Sequence, residues 1–211
     1  MINLIESVKQ YFSKESKNGS HGYDHALRVH NLGKYIAEHE EGDLEIVQAA
    51  CLLHDIGKSH EKKGTCHAEL GAQMSEEILI NLGFPIHKIP SVVYCVRVHR
   101  YSAGINPVTL EARIVQDADR LEEIGAIAIA RGLIEDKLRG KPLYDPSIPP
   151  NADYKSGRNK TSINFLREKS LKLKPESFHT KTAQELAKTR YEFTEQFVKR
   201  VIEEWEVEIS Q

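Results

Sequence analysis

Apolar residues recur along this chain at intervals of three and four, the spacing of one face of an α-helix. Leu4, Val8 and Phe12 open the pattern, and the turn-forming stretch Lys17–Gly22 interrupts it. Val29, Leu32 and Ile36 resume it on a segment that starts near Tyr23. Gly42 breaks and Asp43 caps before Leu44–Leu53, where Ile46, Ala50 and Leu53 share a face. His54–Thr65 is polar, carries Gly57, Gly64 and three lysines, and reads as a loop. Helices follow at Cys66–Leu82 and Ile86–Val98, parted by Gly83–Phe84–Pro85. A loop at Tyr101–Pro107 leads into one long helix expected from Thr109 to about Ala130. No segment alternates with the two-residue period of a strand, so the fold class expected is all-α.

Gly140–Lys160 breaks the rhythm. It holds four of the eight prolines, Gly157, and the tyrosines Tyr144 and Tyr154. Loops of this length are uncommon in compact domains unless they have a function. The segment reads as a mobile lid or as a connection to two last helices, near Thr161–Leu173 and from Thr182 to Glu206. On the last helix Leu186, Phe193, Phe197, Val201 and Trp205 form the expected buried stripe, against the bundle or a second copy of the chain. The expected organisation is a helical core over 1–135, with 136–211 adding the Pro-rich loop and C-terminal helices to the same domain.

Composition narrows the function. The 211 residues carry 29 Lys and Arg against 31 Asp and Glu, a net charge of −2, which speaks against dedicated nucleic-acid binding. No apolar run approaches the ~20 residues of a bilayer span, and the start MINLIESVKQYF has no apolar signal core. Cys51, Cys66 and Cys95 form no CxxC and are too few for a disulfide scaffold. Cys51 and Cys95 sit among apolar residues and read as small core residues. A cytoplasmic protein is expected. The unusual count is ten histidines.

His54 and Asp55 stand together where an apolar helix ends, so one helix end presents an imidazole and a carboxylate. His25 lies upstream near the start of its own helix; Asp117 and Asp119 lie downstream on another. Two His and two Asp suit an octahedral Mn²⁺, Mg²⁺ or Fe²⁺ with water in the open positions. Burying those groups without a cation would be costly. Helical periodicity places Asp117 on the apolar face with Ile114 and Leu121, and Asp119 on the far side with Ala112.

His25, the pair His54–Asp55 in LLHDIGK, and the late Asp in VQDADRLEEIGAIAIAR resemble the HD-domain superfamily of metal-dependent phosphohydrolases. The likeness runs over about 20–131. With LYDP at Leu143–Pro146, the helix around Phe165–Lys169, and TAQELAKTRYEFTEQF, it extends to a subgroup that includes nucleotide pyrophosphohydrolases. That subgroup commonly has His where this chain has Asn164. The resemblance implies an HD-domain helical bundle with a C-terminal helical extension. It implies a metal held by His25, His54, Asp55 and Asp119, with Mn²⁺ or Mg²⁺ first and Fe²⁺, Co²⁺ or Ni²⁺ as alternatives. Asp117 then becomes a supporting acceptor, although the wheel still favours it.

His67 and His99 resemble the subgroup's further histidines, suited to a second metal, a substrate phosphate or a leaving-group proton. His21 could rim the site; His30, His39, His60, His87 and His179 read as surface. Lys58, Arg28 and Arg120 are the cations placed to offset phosphoryl charge, Lys58 first. The expected reaction is in-line attack on phosphorus by hydroxide generated at the metal. The expected substrate is a phosphorylated small molecule, with a nucleoside or deoxynucleoside triphosphate cut to monophosphate and pyrophosphate as the first choice. Tyr144 and Tyr154 are candidates either to stack on its base or to pack the loop. Cyclic dinucleotides and guanosine tetraphosphate stay open. The alternative is a non-catalytic HD module that binds a nucleotide and signals or scaffolds. A homodimer is compatible with both.

Overall fold

The computed structural model describes residues 2–13, 22–62, 64–151 and 159–206, and among them the chain is helical with no strand. His21 and Tyr154 lie outside the described residues. The helices are α1 (Ile2–Ser13), α2 (Tyr23–His39), α3 (Leu44–Leu53), α4 (His67–Asn81), α5 (Ile89–Val98), α6 (Leu110–Leu121), α7 (Ala126–Leu138), α8 (Ser162–Glu168) and α9 (Lys181–Glu206). The all-α expectation holds. The chain falls into two compact units, Met1–Arg120 with His179–Ala183, and Leu121–Phe178 with Gln184–Gln211. No described helix is long and apolar enough to cross a membrane.

In the first unit α2 packs on α3, and α5 packs on both α3 and α4. Every residue of α3 from Ile46 to Leu53 is buried, all but Gln48 of them apolar, which suits a central helix. Asp43 caps it by accepting the N–H groups of Glu45 and Ile46 at 3.0 and 3.2 Å, a device worth ~1 kcal/mol. Gly33 allows α2 and α3 to approach closely: a β-carbon there would collide with Cys51 Sγ. Cys51 and Cys95 are buried thiols, as expected. His30 is a correction. It shares the buried face of α2 with Val29 and Gly33, where its spacing from Ala26 and Ala37 puts it.

The long helix expected from Thr109 to Ala130 is two helices. Gly125 separates them with φ +90°, a conformation that side chains rarely adopt. Its N–H donates to Thr194 Oγ1 at 2.8 Å, and a β-carbon there would meet Arg190 at 3.1 Å. Apolar periodicity hides the break because Leu121, Ile124, Ala128 and Ile129 are buried on both sides of it.

The chain returns to the first unit at 179–183. Asp117 there accepts the N–H of His179 at 3.0 Å, and the N–H and hydroxyl of Thr180 at 2.8 and 2.9 Å. His179 meets Gln116 Oε1 at 2.6 Å and is half-buried, not a surface residue. Glu40 accepts the N–H and hydroxyl of Thr182, both at 2.7 Å.

The second unit has its own core of Ile129, Tyr144, Ile163, Leu166 and Val198. Thr161 caps α8 by accepting the Asn164 N–H at 3.0 Å. The helix stops at Glu168, short of the expected Leu173, and a 3-10 turn over Ser170–Lys172 follows. One face of α8 pins the Pro-rich loop. Asn164 Nδ2 donates to the Ile148 carbonyl at 2.9 Å, and Glu168 Oε1 accepts the Asn151 N–H at 2.8 Å. On α9 the expected stripe holds in part. Phe197 and Val201 pack on this core as expected, and Ala187, Thr194 and Val198 are buried, while Phe193 and Trp205 are about half exposed.

Candidate metal centre

The site lies wholly in the first unit, built from helix ends. His25 stands in the first turn of α2, His54 closes α3 with Asp55 next to it, His67 opens α4, His99 closes α5, and Asp119 is near the end of α6. The last carbonyls of a helix have no intrahelical partner, and two of these histidines use that fact. His54 Nδ1 meets the Cys51 carbonyl and His99 Nδ1 the Val96 carbonyl, each at 2.7 Å and each three residues back. A carbonyl only accepts, so both Nδ1 atoms carry hydrogen and both rings aim Nε2 beyond the helix end. His67 reaches the same state through Glu61, whose Oε1 lies 3.2 Å from its Nδ1.

The Nε2 atoms converge on carboxylate oxygens. His25 Nε2 lies 3.2 Å from His54 Nε2 and 3.3 Å from Asp119 Oδ1. His54 Nε2 is 3.6 Å from that same oxygen. Asp55 faces two ways: Oδ2 is 3.8 and 3.5 Å from Nε2 of His25 and His54, and Oδ1 is 3.5 and 3.6 Å from Nε2 of His67 and His99. Two sets of ligand atoms result, each within 4.8 Å: His25, His54 and Asp119, and Asp55, His67 and His99. The Asp119 side chain is 24% exposed and the other five are buried, so solvent reaches the site beside Asp119.

Burial works against a charged His54 ring, but Asp55 and then Asp119 outweigh it and raise its pKa to about 9. Burial would raise Asp119, yet the His25 hydrogen bond and the His54 charge hold it well below the usual carboxylate range. His67 goes the other way. Burial first, then Lys58 and His99, lower it to about 4 despite Asp55, so its ring is neutral at pH 7. The donor set fits a divalent cation: imidazole nitrogens and carboxylate oxygens converge, with the other ring nitrogens of His54, His67 and His99 oriented from behind.

Lys58 Nζ lies 3.2 Å from Asp55 Oδ2 and is partly exposed. Arg28 is half-buried on α2. Arg120 is buried, 3.5 Å from Asp117 Oδ1, with its guanidinium 3.9 Å from the Tyr101 ring centroid. The structure thus brings Asp119 to the histidines and commits Asp117 to His179, Thr180 and Arg120. Tyr144 is 7% exposed, with its ring edge-on to Trp205 at 5.8 Å and its hydroxyl on Glu206 at 3.3 Å. That ring packs the loop base, and the described part of the loop is pinned to α8. Glu61 and Tyr101 were missed from sequence. Nothing in the spacing of Glu61 marks it, and Tyr101 carried one available signal, its place two residues after His99.

The HD domain family model matches residues 22–124. YpgQ of Bacillus subtilis is 30% identical over 95% of this chain and 93% of its own length. A crystal structure of an HD-superfamily hydrolase from Bacillus thuringiensis superimposes with a TM-score of 0.77 at 29% identity, covering 100% of this chain and 97% of that one. The crystal structure of Bacillus subtilis YpgQ in complex with ADP does so with a TM-score of 0.73 at 27% identity, over 96% and 93%. This chain belongs to the HD-domain superfamily and has the fold of its metal-dependent phosphohydrolases.

Proposed function

We propose that the first unit hydrolyses nucleotides, taking nucleoside or deoxynucleoside triphosphates to monophosphate and pyrophosphate. The observation that carries the phosphohydrolase reading is the convergence of four imidazole Nε2 atoms and two carboxylates, with Lys58 beside them. The nucleotide class is supported by the YpgQ relative that was crystallised with ADP. His25, His54, Asp55 and Asp119 would hold the cation, Mn²⁺ or Mg²⁺ by their mix of nitrogen and oxygen donors. Such a cation supplies Lewis-acid polarisation of a phosphoryl oxygen and a water acidified toward neutral pH.

The chain's own groups do the rest. The Cys51 carbonyl keeps His54 presenting Nε2. Asp55 turns its second oxygen to His67 and His99, which with it form a second three-ligand set. A neutral His67 offers a lone pair there instead of a proton. Lys58 places its ammonium where charge develops on the phosphoryl oxygens, and Arg28 is the weaker candidate for the same work. The test is metal analysis paired with phosphate and pyrophosphate release on a nucleotide panel with Mn²⁺, Mg²⁺, Co²⁺ and Ni²⁺. Metal-dependent turnover of triphosphates is the expected result. Bound metal with no turnover on the whole panel would make the chain a nucleotide-binding HD module.

A further inference from the structure

We infer that Tyr101 is the platform on which the nucleobase stacks, and that Arg120 holds it in place; this rests on the nucleotide reading of the metal centre. Tyr101 begins a 3-10 turn, Tyr101–Ala103, separated from the end of α5 by two residues. It is 45% exposed although one ring face is covered by the Arg120 guanidinium, whose carbon lies 3.9 Å from the centroid. Exposed aromatic side chains are ordinarily free to change rotamer. This one is backed by a cation that is itself buried and lies 3.5 Å from Asp117. Asp117 in turn is fixed by three donors from His179 and Thr180 at 3.0, 2.8 and 2.9 Å. The turn beneath the ring is closed by Gly104 N–H on the Tyr101 carbonyl at 3.0 Å.

Two covalent tethers keep the backbone under the ring close to that of the metal centre. Tyr101 follows His99 by two residues and Arg120 follows Asp119 by one. With about 3.8 Å per Cα step, the Tyr101 Cα is within about 8 Å of that of His99, and Arg120 within about 4 Å of that of Asp119. A nucleotide whose phosphorus sits at the histidine cluster therefore brings its sugar and base within reach of the ring. Stacking of this kind accepts any base, because every base has a π-face. The amide of Gln116, which could have read a base edge, is spent on the Val98 and Ile105 carbonyls at 3.1 and 3.4 Å and on His179 at 2.6 Å. The platform selects nucleotides over bare polyphosphates without choosing among bases.

The experiment compares ATP with inorganic tripolyphosphate in the wild-type chain and in Tyr101→Leu, Tyr101→Ala and Tyr101→Phe. It adds the affinity for AMP measured by calorimetry. Loss of one stacked base corresponds to about 10- to 100-fold. Tyr101→Leu and Tyr101→Ala should raise KM for ATP and Kd for AMP by that factor. Tripolyphosphate kinetics should stay within about twofold, and Tyr101→Phe should behave as wild type. Tyr101→Leu keeps an apolar cover over Arg120, so it also guards against a variant that fails to fold. Equal effects on ATP and tripolyphosphate, or no effect on either, would make Tyr101 a cover for Arg120 and overturn the platform. Absence of ATP turnover and AMP binding in the wild-type chain would instead overturn the nucleotide reading, and the platform with it.

Discussion

Asp117 and Asp119 stand two residues apart on α6 and face different neighbours. Asp117 is fully buried and accepts from His179 and Thr180, where the chain comes back to start α9. Asp119 is partly open to solvent and sits with His25 and His54. The first is a carboxylate whose charge is satisfied by donors of its own fold. The second is one of several acceptors that face imidazole nitrogens and leave room for a cation. A buried carboxylate is therefore not by itself a sign of chemistry. What distinguishes the two is whether their partners are hydrogen-bond donors already committed to the fold or ligands aimed at one point.

The contrast breaks most sharply at the metal side. His54→Ala, Asp55→Ala and Asp119→Asn should each lose stoichiometric metal and hydrolysis while far-ultraviolet circular dichroism keeps its helical amplitude. Wild-type turnover at full metal loading in any of them would remove that residue from the centre. Next in size is Lys58→Ala, expected to lower turnover on the order of 10²-fold with metal content unchanged, the scale of losing one charge-stabilising donor. Unchanged kinetics would return Lys58 to a pairing role with Asp55.

Asp117→Asn should do the opposite of Asp119→Asn. It leaves buried donors poorly matched, so urea unfolding should show a loss of about 1–3 kcal/mol, with metal still bound. Metal loss without destabilisation would exchange the roles of the two carboxylates. The smallest effect is expected at Glu40, which makes the same kind of bond to Thr182 nearer the surface. The Thr182 hydroxyl, then its N–H, hold the Glu40 carboxyl below its ordinary value of 4.5. A depressed folded-state pKa gives stability that is present above the unfolded value and lost as pH falls through the folded one. Glu40→Gln should therefore cost about 1 kcal/mol at pH 7. The gap from wild type should shrink as pH drops below 4.5, and a gap that is constant with pH would show that the charge contributes nothing.

Much of the site could be read along the chain because its parts are local. The apolar run of α3 ends at Leu53, so His54 and Asp55 had to stand at a helix end, and a histidine there can turn back on its own last-turn carbonyl. The same logic applies to His99 after α5. Glycine and aspartate at 42 and 43 marked a break and cap for the same reason: an N-cap needs only its own next three residues. One loop tyrosine could not be read so locally. Tyr144 reads from its Pro-rich surroundings as a residue that either stacks on a base or packs the loop, and the structure gives it the second role, against Trp205, 61 positions away in sequence.

The sequence by itself determined the all-α class, most helix positions, and the histidine and aspartate types that gather at the centre. Those follow from helical periodicity and from chemistry carried by adjacent residues. Periodicity favoured the wrong acidic residue of α6 and the resemblance favoured Asp119; the tertiary structure shows why, because the donors that claim Asp117 lie 62 and 63 positions away. It also decided that Gly125 breaks a continuous apolar run, since the partner of its N–H is Thr194, 69 positions on. The buried face of α9 was settled in the same way: Ala187 and Thr194 lie inside while Phe193 lies out. Close approach between helices favours small side chains, whereas hydrophobicity read along one strand of sequence favours the large ones.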